Sequence, residues 1–97
     1  MSEGIEKVRV WIKVANASHD RAVEFILEPW AEQYTMAPGT SFDVVAEGPP
    51  GDYVQIEWSE TRIVVYGWTG SVISVYEKGR ELSGATNPWP PLPSSEA

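Results

Sequence analysis

The chain contains no cysteine, which excludes disulfides, thiolate metal sites, iron–sulfur clusters and a cysteine nucleophile. That absence fits a reducing compartment. A single histidine, His19, leaves no means of building a multi-histidine metal site. Bases are scarce: seven Lys and Arg stand against fourteen Asp and Glu, for a net charge of −7. Lys7, Arg9, Lys13, Arg21, Arg62, Lys78 and Arg80 are mostly scattered along the sequence. Nucleic-acid binding needs a concentrated basic footprint that displaces counterions, so no nucleic-acid partner is expected. No apolar run approaches the roughly 18 residues of a membrane span. The opening M-S-E-G-I-E-K-V has no cationic segment before an apolar core, so the expected location is the cytoplasm. The glycines are single and fall at turns, so no glycine-rich phosphate loop exists.

Aromatic side chains are abundant. Five Trp, four Tyr and two Phe in 97 residues are a heavy load for one small domain. Each buried aromatic removes about 150–250 Å² from water, enough for a core without covalent staples.

Alternation predicts strands throughout. Val8, Val10, Ile12 and Val14 form one apolar face, with Lys7, Arg9, Trp11 and Lys13 on the other. Val23, Phe25 and Leu27 are the inward set of the second strand, which Pro29 ends because it lacks an N–H. Tyr34 and Met36 share one side of a short extended segment. Pro38-Gly39 has the chemistry of a type II turn. Phe42, Val44 and Ala46 form the next inward set. Val54, Ile56 and Trp58 alternate in turn. Arg62–Trp68 is apolar on both faces, which suits a central strand. Ser71–Tyr76 follows, and Lys78-Gly79 is a two-residue hairpin turn into Arg80–Leu82. About seven or eight short strands, with no helical period, predict an all-β fold: an antiparallel β-sandwich or small Greek-key barrel. The expected domain covers residues 4–82. Residues 83–97 form a tail whose P-W-P-P-L-P stretch, Pro88 to Pro93, reads as polyproline II.

Catalytic constellations are thin. Ser18 and Asp20 flank His19 too closely to form a triad by themselves, and no G-x-S-x-G elbow is present. Glu24, Glu28 and Glu32 are the densest acids. On a strand, Glu24 and Glu28 lie about 13 Å apart at about 3.3 Å per residue. Glycosidase pairs need about 5–9.5 Å, so a solvated face explains these residues more simply. No catalysis, cofactor or metal is expected.

Trp30, Trp58, Trp68 and Trp89, with Tyr34, Tyr53, Tyr66 and Tyr76, exceed what one small core needs. Trp58 and Trp68 are expected mainly inside. The candidate aromatic surface is Trp30, Tyr34, Trp68 and Trp89, to the extent that these are exposed. Side by side in solvent, such rings form a platform for a protein chain, a second copy or a sugar. The expected function is a non-catalytic binding or assembly module, acting on a protein partner or on itself through aromatic surface and proline-rich tail. The alternative is a carbohydrate-binding module, and a hydrolase using Glu24 or Glu28 is the weakest reading.

F-I-L-E-P-W at 25–30, the Pro38-Gly39 turn, F-D-V-V-A-E-G-P at 42–49 and V-Y-G-W at 65–68 resemble a group of small bacterial all-β proteins without assigned function. The resemblance spans roughly residues 5–82 and implies architecture alone, with no site residue to carry over. The chain is also loosely similar to a cupredoxin-type sandwich. The copper site of that fold needs two histidines and a cysteine, which this sequence cannot supply.

Overall fold

Residues 6–82 are described by a computed structural model, and they form eight strands with no helix. These are β1 (Val8–Ala15), β2 (Val23–Glu28), β3 (Glu32–Met36), β4 (Ser41–Gly48), β5 (Gln55–Trp58), β6 (Arg62–Tyr66), β7 (Val72–Glu77) and β8 (Arg80–Glu81). They make two four-stranded sheets, ordered β1-β4-β7-β8 and β3-β2-β6-β5. The architecture is therefore an open sandwich and not a closed barrel.

Turn chemistry closes the hairpins. Gly39 takes a φ of 79°, as its place after Pro38 requires. Lys78 and Gly79 both adopt positive φ, at 53° and 81°, the geometry of a two-residue hairpin. Strand β2 stops at Glu28, where the bond to Pro29 is cis, and the chain returns as β3 with Leu27 opposite Glu32. Glu28-Pro29-Trp30 is thus the tip of a hairpin.

Five of the six strand pairs are antiparallel, and β2 with β6 is parallel. Two hairpins, β2–β3 and β5–β6, sit side by side and meet along β2 and β6. The sequence predicts an antiparallel sandwich, and the β2–β6 pair is the exception within it. Turns fix each hairpin internally, but not the direction in which one hairpin meets another.

The core lies between the sheets. Phe25, Leu27, Met36, Phe42, Val44, Ala46, Val65, Trp68, Ile73 and Val75 are buried. Phe25 of one sheet meets Phe42 of the other edge-on, with ring centroids 5.3 Å apart. The inward face of β1 is only partly covered: Val10, Ile12 and Val14 are half-buried and Val8 is exposed. Strand β1 is an edge strand, and so is β5 of the other sheet. The sandwich gapes between these two.

Candidate functional site

The gape is an apolar groove of about 500 Å³. Ile12, Val14, Val23, Ile56, Ile63 and Trp58 line its walls. Lys13, Arg21 and Glu60 also border it, with Arg21 Nη1 3.8 Å from Glu60 Oε1. Both side chains of that pair are mainly in solvent, so it contributes little stability. Trp58 is 74% exposed. Alternation puts it on the same side of β5 as Ile56, but no facing strand among the described residues covers the end of this edge. The expectation that Trp58 is core is corrected on that ground.

Trp68, in contrast, lies inside as expected, at 4% exposure. Its indole Nε1 donates to the Pro49 carbonyl at 2.8 Å, and its backbone N–H donates to Ser71 Oγ at 2.9 Å. Gly48 lies close by; a Cβ there would stand 3.1 Å from the ring. Trp68 is a core residue and leaves the candidate surface. Trp30 is half-buried against the core, over Gly67. Tyr34 is half-buried, with ring centroids 6.4 Å from Phe25 and 6.4 Å from Phe42. Its phenol donates to Glu32 Oε1 at 2.6 Å. Burial, with the Glu32 carboxylate beside it, holds that phenol protonated well above its ordinary range. Trp89 and the proline-rich tail lie outside the described residues.

Among the described residues, the aromatic rings that face solvent most are Trp11, Tyr53 and Trp58, at 65%, 76% and 74% exposure. Trp11 stands on the outer face of β1 between Arg9 and Lys13, and Lys13 pairs with Asp43 at 2.8 Å. Tyr53 borders a second, polar hollow of about 430 Å³. There Gln55 Nε2 donates to Glu57 Oε2 at 3.2 Å and the Tyr66 hydroxyl donates to Glu57 Oε1 at 3.3 Å. The Tyr66 phenol titrates above its ordinary value, through desolvation first and the Glu57 carboxylate second.

Asn16 belongs to no recognisable motif in the sequence. It is 5% exposed. Its side-chain amide donates to the Arg21 carbonyl at 2.8 Å and the Met36 carbonyl at 3.1 Å, and its Oδ1 accepts from Ser18 N at 3.1 Å. Its backbone N–H donates to Thr40 O, and its carbonyl accepts from Gly39 N, both at 2.9 Å. One residue thus ties the 16–21 loop at one end of the groove to the ends of both sheets. An asparagine directly after a strand and before a polar loop is the only sequence signal for this.

Ser18 Oγ donates to Asp20 Oδ1 at 3.3 Å and accepts the backbone N–H groups of Asp20 and Arg21, so it serves the turn. His19 is exposed. Glu24 accepts from Gln33 Nε2 at 2.6 Å across the β2–β3 ladder. Among the described residues no group of three or more His, Asp or Glu is placed to hold a metal ion.

No family model, no curated protein and no solved structure matches this chain. The resemblance drawn from the 25–30, 42–49 and 65–68 segments therefore stands only as far as the shared all-β architecture.

Proposed function

We propose that this chain is a binding module that recognises a protein chain, its own or a partner's, without chemistry of its own. The observation that carries this reading is the exposure of Trp58 beside an apolar groove, with Trp11 exposed on the neighbouring edge strand. Large aromatic rings in solvent at the rim of a concave apolar surface are the residues that interfaces enrich. The sequence Pro88–Pro93, with Trp89, adds a second recognition element of the kind that docks in aromatic-lined grooves. Sedimentation of the full chain and of Trp58→Ser, with and without extended peptides, tests the reading. Association that Trp58→Ser weakens supports it. A monomer at every concentration, with Trp58 emission unmoved by any peptide, contradicts it.

The polar hollow supports a second reading, a carbohydrate site. Tyr53 offers an exposed ring, while Gln55, Glu57 and Tyr66 offer donors and acceptors beside it. A glycan screen followed by Tyr53→Ala decides it: a sugar that shifts the emission and loses its effect in the variant supports this site.

A further inference from the structure

Strand β1 is eight residues long and pairs only with β4 among the described strands. The other three sheet edges, β3, β5 and β8, have five, four and two residues. An unpaired edge of that length is a template for another strand.

The direction of its backbone groups follows from the ladder. Asn16 exchanges both its backbone N–H and its C=O with the β4 side, at Thr40 and Gly39. With the two-residue period of a strand, Val14, Ile12, Val10 and Val8 do the same. Arg9, Trp11, Lys13 and Ala15 therefore aim their N–H and C=O groups at the open edge. The same residues carry the outward side chains, all exposed. Lys7 continues their parity, so three of the seven cations of a chain with net charge −7 line one edge. Lys13 is partnered by Asp43 and Arg9 lies opposite Glu47 in the ladder, while Lys7 precedes the paired segment. On the inward side, Val10, Ile12 and Val14 are half-buried, and the last two line the groove.

We infer that β1 binds, by strand addition, an extended protein segment in which apolar and acidic residues alternate. Its acidic side chains lie beside Arg9, Trp11 and Lys13 on the outer face, and its apolar side chains close the groove over Ile12 and Val14. Charge complementarity selects this occupant. A second copy of β1 brings a further Arg9 and Lys13 to the seam, and like charges across a ladder destabilise it. The basic edge thus works against self-pairing and in favour of an acidic strand. The inference rests on the binding-module reading above and names the partner's chemistry.

The test titrates the full chain with a blocked nonapeptide alternating valine and glutamate, and with its lysine-for-glutamate counterpart. Binding is read by calorimetry and by backbone amide shifts. The glutamate peptide is expected to bind at least about tenfold more tightly at low salt, as charge complementarity requires. The amides of Arg9, Trp11 and Lys13 should move most. Arg9→Glu should narrow or reverse the preference. Trp11→Pro should abolish binding while keeping the fold, because the N–H it removes points away from β4. Thermal melts of both variants check that they fold. Equal binding of the two peptides, no binding of either, or shifts mapping away from β1 overturn the inference. No binding of either peptide, together with self-association that Trp58→Ser weakens, leaves the binding-module reading standing while the edge inference falls. Loss of every peptide and of all self-association removes both.

Discussion

Trp68 and Pro49 are joined by a 2.8 Å hydrogen bond from the indole N–H to the carbonyl, which fastens the loop after β4 to the end of the core. Trp68→Phe keeps most of the ring volume and leaves that carbonyl without its donor. The expected cost is about 1–3 kcal/mol, measured by urea unfolding. The same variant should remove the most blue-shifted part of the tryptophan emission, whereas Trp11→Phe and Trp58→Phe remove red-shifted parts.

Asn16 should be the most sensitive polar position. Asn16→Ala withdraws two donors and one acceptor from the Arg21 and Met36 carbonyls and the Ser18 N–H. A loss of about 2–3 kcal/mol is expected in chemical denaturation, since buried groups are left unpaired. Asn16→Asp should do no better, because a carboxylate brings negative charge to two carbonyl oxygens and donates to neither. Hydrogen exchange should rise first in the 16–21 loop.

Gly67 is a close-approach position. A Cβ there would stand 2.6 Å from Ser71 Oγ and 2.9 Å from the Trp30 ring. Gly67→Ala should destabilise by about 1–3 kcal/mol as the neighbours shift, and should alter Trp30 emission. An unchanged melt would contradict the packing described.

Alkaline pH should weaken the fold through Tyr34. Its folded-state pKa is raised above the ordinary 10.0 by burial first and by Glu32 second. Between the unfolded and folded values the native state keeps a proton that the unfolded chain has lost. Stability from this group is therefore complete below about pH 10 and declines as pH rises further. Unfolding series across this range should show that decline, and Tyr34→Phe should flatten it. An equally steep decline in the variant would assign it to other groups.

The sequence made legible what period and turn chemistry control. The inward sets Val23/Phe25/Leu27 and Phe42/Val44/Ala46 were readable because a strand's two faces alternate, and these strands are interior. The Pro38-Gly39 and Lys78-Gly79 turns were readable because positive φ selects glycine. What is not local was not readable. Trp58 and Trp68 look alike in pattern, yet one ends an edge strand and the other fills the sandwich, a difference set by sheet order. The parallel β2–β6 pair and the exposed edge of β1 come from the same non-local choice. Hence Trp68 leaves the candidate surface and Trp11, Tyr53 and Trp58 join it, with Trp30 and Tyr34 half-buried, while Trp89 belongs to the tail beyond the described residues.

On the proposed function, Trp58 at the groove and Trp11 on the outer face of β1 recognise a protein chain. Indole N–H signals of the full chain, resolved by nuclear magnetic resonance and assigned with single Trp→Phe variants, test it most directly. They are followed on dilution and on titration with extended peptides. The Trp58 and Trp11 signals should move together with binding while the Trp68 signal, held by Pro49, stays in place. Indole signals of Trp58 and Trp11 that stay fixed under every condition would contradict it.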